Sequence, residues 1–206
     1  MDSEIRPVPP PPVPGRVASI RAIEILMLCT GNTCRSPMAA ALLSRRLDEA
    51  GVKAVVSSAG LLFDGRPATD HGQAVMADRG IDTSGHRSRK LRAEIVTDAD
   101  IVIGMARSHV REAVALAPDV WTRAFTLKEI VRRGEERGGR APGEPVEDWL
   151  ARLHAGRRLP DLLGESGADD VADPIGGPLK SYERTAAELD DLTARLARLL
   201  GSEPAS

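Results

Sequence analysis

An apolar run, AIEILML at residues 22–28, breaks off into CTGNTC at 29–34, and Pro37 then opens an Ala/Leu-rich stretch that lasts to Ala50. Apart from Glu24 the run has no polar alternation, which suits a strand covered on both faces. Proline fits the first turn of a helix, and Gly51 stands where a helix would stop, so 37–50 is read as a helix with Pro37 at its first position. A doubly buried strand that turns within a few residues into a helix is the opening of a βαβ unit. This feature commits the chain to a parallel sheet with helices on both sides.

The rest of the chain repeats the theme. KAVVSSAG (53–60) and DADIVIGM (98–105) read as the second and third strands, with a helix at TDHGQAVMADRG (69–80) between them and another at SHVREAVALAP (108–118) after them. RAFTL (123–127) is a shorter fourth strand leading into a helical turn at 128–133. The last helix, 178–200, carries Tyr182, Ala186, Leu189, Leu192, Leu196 and Leu199 at helical spacing. The expected fold is α/β: one three-layer domain over 20–201, a four-stranded parallel sheet flanked by helices, with the 29–34 turn after its first strand. Residues 134–168, rich in Gly, Arg and Glu, read as a surface insertion with one short helix near 146–154. PVPPPPVP at 7–14 favours polyproline II and cannot join a sheet, so 1–19 is expected to be a disordered Pro-rich tail and 202–206 a second tail. Docking of the Pro-rich stretch on a proline-recognising module is the weaker alternative.

With 206 residues, 42% of them hydrophobic, the chain can bury a core of ordinary size. Its 28 basic and 30 acidic residues nearly cancel, which argues against nucleic acid or an anionic membrane as partner. No apolar run reaches the roughly 18–20 residues of a membrane helix, and the N-terminus lacks the pattern of a secretory signal. Two cysteines with four residues between them cannot staple distant segments, which fits a cytoplasmic protein.

Both cysteines fall in the first turn, at the end of a parallel strand where such folds bind ligands. Thr30, Gly31, Asn32, Thr33 and Cys34 are small enough to curl the backbone so that successive N–H groups point inward, and Gly31 and Asn32 tolerate positive φ. The helix that follows adds its positive end. The product is an anion cradle floored by the sulfur of Cys29. Its N–H groups, the helix end and the Arg35 guanidinium all favour thiolate over thiol. Arg35 can hold two phosphate oxygens through its planar fork, and Ser36 can donate its hydroxyl to the sulfur. A cradle that binds a tetrahedral anion and aims a nucleophile at it suits displacement at phosphorus through a phosphocysteine. Competing readings are a metal site, which lacks a second Cys pair or Cys/His spacing, a Cys29–Cys34 disulfide, which leaves Arg35 unexplained, and a pair of inert buried cysteines.

LCTGNTCRSPMAAALL resembles the phosphate loop of the low-molecular-weight protein tyrosine phosphatases, and the similarity continues through SSAGL (57–61), GIDTSGHRSRKL (80–91), DADIVIGMARSH (98–109) and DPIGGPLKSYERTAAEL (173–189). The resemblance implies that Asp173, in ADPIGG, is the general acid for the leaving group and later the base that activates water. Taken alone, Asp-Pro-x-Gly is an ordinary turn. The resemblance further implies that Asn32 holds the loop in its curl, with Ser58 and His86 as hydrogen-bonding partners. His71, His109 and His154 show no ligand spacing, and Asp98 and Asp100 read as capping or loop groups. A phosphorylated protein substrate is implied, with no metal and no cofactor.

Two departures bear on the substrate. Ile175 stands where phosphotyrosine enzymes often place an aromatic wall, and Thr33 stands where many have a bulkier aliphatic residue. Thr33 resembles the protein-arginine-phosphatase branch. Phosphotyrosine is the first expectation and phosphoarginine the close alternative. Arsenate reduction with an external thiol and a non-catalytic phosphate-binding module rank lower, because a mere binder has no use for Cys29 and Asp173 together.

Overall fold

The structure, a computed structural model, describes residues 21–201, so the Pro-rich stretch and the C-terminal tail lie outside the described residues. Its strands are β1 (Ile23–Cys29), β2 (Ala54–Gly60), β3 (Ile101–Gly104) and β4 (Ala124–Thr126). They form one parallel sheet in the order β2-β1-β3-β4. Along β1, Ile25, Met27 and Cys29 face one layer while Leu26 and Leu28 face the other, so the strand is buried on both sides as its composition requires.

The first layer holds α1 (Arg35–Glu49), α2 (Asp70–Ala77), α5 (Leu127–Arg137), α6 (Val146–His154) and α7 (Leu179–Gly201). The second holds α3 (Ala93–Thr97), α4 (Arg107–Leu116) and the 3₁₀ turn Pro118–Arg123. Because β2 and β4 lie at opposite edges, the connection leaving β1 runs to one side and that leaving β3 to the other, which opens a crevice beyond the carboxyl ends of these two strands. Cys29 is the residue that enters it.

Several boundaries differ from expectation for identifiable reasons. Helix α1 begins at Arg35, with Cys34 as its cap and Met38 N donating to Cys34 O at 3.2 Å. Pro37 therefore sits at the third position, where its missing N–H still has no helical partner to lose. The third strand begins at Ile101 because Asp98 closes α3, a helix the sequence had not marked. Asp100 is taken up by Arg21 Nη1 at 2.7 Å and Glu24 N at 2.9 Å. Helix α5 is a full helix rather than a turn: Thr126 Oγ1 accepts from Glu129 N at 3.1 Å to start it. Gly134 lets it lie directly on α7, since a Cβ there would stand 2.6 Å from Leu199 Cδ1.

The segment expected as a surface insertion is seated in the core. Its short helix, α6, falls where expected, but Val146, Trp149, Leu150 and Leu153 are buried in the main cluster. Their i, i+3, i+4, i+7 spacing is a helix face that the Gly/Arg/Glu-rich flanks obscured. Trp149 Nε1 donates to Gly138 O at 3.1 Å. Beyond α6, Arg157 lies 4.0 Å from the ring centroids of both Trp121 and Phe125 and bonds Glu129 at 2.7 and 3.0 Å. That contact ties the segment to the β4 edge of the sheet. Among the described residues no helix is long and apolar enough to cross a membrane.

Candidate active site

Cys29 is almost wholly buried, and its Sγ has two polar neighbours: Ser36 Oγ at 3.0 Å and the Asn32 N–H, which donates at 3.2 Å. The direction of the Ser36 contact follows from Asn32. The Asn32 side-chain amide donates to Ser36 Oγ at 2.9 Å and to Ser58 Oγ at 2.8 Å. Ser36 thus accepts from Asn32 and has one proton to give, for which the sulfur at 3.0 Å is better placed than Ala59 O at 3.5 Å. The sulfur receives donors from both sides, the arrangement that holds a thiolate in place as attacker or leaving group.

Asn32 is the keystone of the loop. It is fully buried and has φ 51°, making it the one non-glycine residue with positive φ among the described residues. All its polar groups are engaged: Oδ1 accepts from Arg89 N at 2.8 Å, and its carbonyl lies 2.7 Å from His86 Nε2. Ser58 therefore meets the side chain and His86 the main chain, while Arg89 enters as a partner the sequence had not flagged. Gly60 completes the fit, because a Cβ on it would sit 2.6 Å from Asn32 N. The end of β2 can approach the loop this closely only without a side chain.

Arg35 and Asp173 meet directly, Nη2 donating to Oδ2 in an ion pair. Arg35 also donates to Val171 O at 3.1 Å, and its Nη2 lies 3.5 Å from Thr30 Oγ1. The fork expected to face phosphate is thus shared with the carboxylate expected to act as acid. Asp173 Oδ1 accepts from Ile175 N at 3.2 Å, which closes the Asp-Pro turn on itself.

These groups line a cavity of about 240 Å³, with Cys29 and Arg35 at its floor and Thr33, Phe63, Asp173 and Ile175 around its wall. Ile175 is half-exposed at the rim. Phe63 was missed by sequence reasoning. The Arg66 guanidinium stacks 3.6 Å from its ring centroid. The available signal was positional: Leu61–Asp64 follows β2, hence emerges at the same end of the sheet as the cysteine turn. Cys34 is free, as is Cys29, and burial, with Cys29 and Asp173 nearby, pushes its thiol up to about 12. Of the histidines without ligand spacing, His71 packs edge-on against Tyr182 and His154 against Trp121, both at 5.2 Å. His109 reaches the site itself. Among the described residues no group of three His, Cys, Asp or Glu side chains is placed to hold a metal ion.

Comparison with known proteins fits this geometry. Residues 24–142 match the family model described as Low molecular weight phosphotyrosine protein phosphatase. A protein-arginine-phosphatase of Geobacillus stearothermophilus is 35% identical over 182 residues, covering 87% of this chain and 97% of that protein. The low molecular weight protein-tyrosine-phosphatase Etp of Escherichia coli K12 is 39% identical over 150 residues, covering 66% of this chain and 99% of Etp. The solved low molecular weight protein tyrosine phosphatase of T. tengcongensis superposes with a TM-score of 0.64 at 33% identity, over 85% of this chain and 97% of that one.

Proposed function

We propose that this chain, which belongs to the low molecular weight phosphotyrosine protein phosphatase family, dephosphorylates phosphoarginine in proteins, with phosphotyrosine as the second reading. Its phosphatase chemistry rests on one observation: a buried sulfur that accepts hydrogen bonds from Ser36 and Asn32, at the floor of a cleft carrying Arg35 and Asp173. In the first step Cys29 Sγ attacks phosphorus, the S–P bond forms, and the bond to the departing side chain breaks. Asp173 gives its proton to the departing atom. In the second step water attacks phosphorus, Asp173 takes the water proton, and the S–P bond breaks to return the thiolate and release phosphate. Backbone N–H groups from Thr30 to Cys34, with Ser36 and Arg35, are the proposed holders of the phosphoryl oxygens. Asn32, Ser58 and His86 keep that cradle curled.

Thr33 favours the arginine reading. It is nearly buried in the cavity wall, with Oγ1 turned toward Gly31, 3.2 Å from where a Cβ on that residue would stand. A hydroxyl in place of a larger apolar side chain offers a hydrogen bond and room to a planar guanidine. The protein-arginine-phosphatase relative also aligns over 87% of this chain and nearly its own whole length. Phosphotyrosine is favoured by Leu62, Phe63 and Ile175, whose apolar edges suit a phenyl ring. The deciding experiment compares phosphoarginine and phosphotyrosine peptides on the wild type and on Thr33→Ile. The expected result is a wild-type preference for phosphoarginine that the substitution lowers about tenfold, the scale of one changed pocket contact. A wild-type preference for phosphotyrosine, or a ratio that Thr33→Ile leaves unchanged, refutes the arginine assignment.

The chemistry requires Cys29 reduced, so the reading places it in the cytoplasm, where thiols persist. The near balance of charge gives no reason to involve nucleic acid or membrane, and the Pro-rich 7–14 stretch is the segment to test against proline-recognising modules.

A further inference from the structure

One buried titratable group at the site has no part in the steps above. His109, in the first turn of α4, is 1% exposed, and its Nε2 lies 3.0 Å from Thr30 Oγ1. The same hydroxyl is 3.5 Å from Arg35 Nη2. Thr30 directly follows Cys29 and lines both the catalytic cavity and an adjoining cleft of about 360 Å³ in which His109, Arg35 and Asp173 also take part. The other ring nitrogen of His109, Nδ1, is buried with no hydrogen-bond partner in the protein.

We propose that His109 is a positioning residue for the phosphatase reaction, donating from Nε2 to Thr30 Oγ1 so that the Thr30 hydroxyl proton points into the cavity, at a phosphoryl oxygen held by Arg35. This deepens the proposed reading and rests on its phosphoryl-transfer chemistry, but not on the choice between arginine and tyrosine.

Burial first, and then the charge of Arg35, push the His109 imidazole down to about 4, so at neutral pH it is uncharged and carries one N–H. Were that N–H on Nδ1, a donor would be buried without an acceptor, the rarer and costlier kind of orphan. With the proton on Nε2, the donor is satisfied by Thr30 and only a lone pair is left over. Thr30 Oγ1 then accepts from His109 and faces the Arg35 guanidinium, another donor. Its own proton turns away from both, and of the two spaces that Thr30 lines the proposal assigns it the cavity above Cys29 rather than the adjoining cleft. A hydroxyl aimed there adds a fixed donor where negative charge develops during transfer.

The test uses the full chain with p-nitrophenyl phosphate as substrate. His109→Phe removes the donor and keeps the bulk, His109→Gln can restore an N–H, and Thr30→Val removes the hydroxyl. The expected result is that His109→Phe and Thr30→Val each lower kcat about tenfold with KM little changed. The double variant should be no slower than either alone, because the residues act as one unit, and His109→Gln should recover part of the loss. Nitrogen NMR of ¹⁵N-histidine-labelled wild type should find the proton of His109 on Nε2, a readout that does not require any variant to fold. Additive losses, an unchanged or higher kcat in His109→Phe, or a proton on Nδ1 would each overturn the proposal. A wild type with no phosphatase activity would instead sink the functional reading, leaving the NMR result to decide the tautomer.

Discussion

Changing Asp173 to Asn should separate the two halves of the proposed chemistry, because Asp173 and phosphate want the same guanidinium. In the structure Asp173 is ion-paired with Arg35, and its side chain is 42% exposed, so the pair is worth at most about 1 kcal/mol. Removing it frees Nη2 for an anion. It also removes a negative charge that would stand roughly 4 Å from the phosphate, which costs about 1 kcal/mol in a water-like medium. Together these contributions of about 2 kcal/mol correspond to inorganic phosphate binding roughly thirtyfold tighter in Asp173→Asn. Turnover should move the opposite way. Loss of a general acid costs about a hundred- to ten-thousand-fold where the leaving group needs its proton, as guanidine does, and less for p-nitrophenolate. Calorimetric titration with phosphate and steady-state kinetics on both substrates read the two effects. If phosphate binds no tighter, or both leaving groups are slowed equally, the shared-guanidinium argument fails.

Other outcomes follow from the same geometry. At pH 7 iodoacetamide should label Cys29 and spare Cys34, whose buried thiol, raised to about 12, stays protonated until well above neutral. Peptide mass spectrometry finding Cys34 labelled first would contradict that. Away from the site, Trp149→Ala should cost about 3–5 kcal/mol in urea unfolding, since a fully buried indole and its hydrogen bond to Gly138 are lost. A cost below about 1 kcal/mol would mean that the 134–168 segment is a surface appendage after all.

The fold class was legible because β1 and β3 are buried on both faces and say so in their composition. The start of β3 was not, because Asp98 and Asp100 serve α3 and Arg21, contacts that carry no local pattern. The position of α6 could be read from VEDWLARLH, but not its depth: burial depends on what the helix lies against, and the sequence around it is that of a loop. At the site the cysteine turn was readable because its chemistry is local, with nucleophile, donors and guanidinium all between residues 29 and 36. Phe63, Arg89 and His109 were not, since they arrive from the ends of other strands and helices. The strand order, with β2 and β3 on either side of β1, brings them together. The Arg35–Asp173 pair is illegible for a related reason: its members lie 138 residues apart, and only the folded chain shows that Asp173 and a phosphate compete for one guanidinium.

The most direct test of the central claim is to catch the intermediate. The 206-residue chain would be mixed with p-nitrophenyl phosphate, quenched within one turnover and mapped by peptide mass spectrometry. The account expects a phosphoryl group on the sulfur of Cys29, absent when Cys29→Ser is treated in the same way. A phosphoryl group on another residue, or burst-phase release of nitrophenol with Cys29 unmodified, would contradict it.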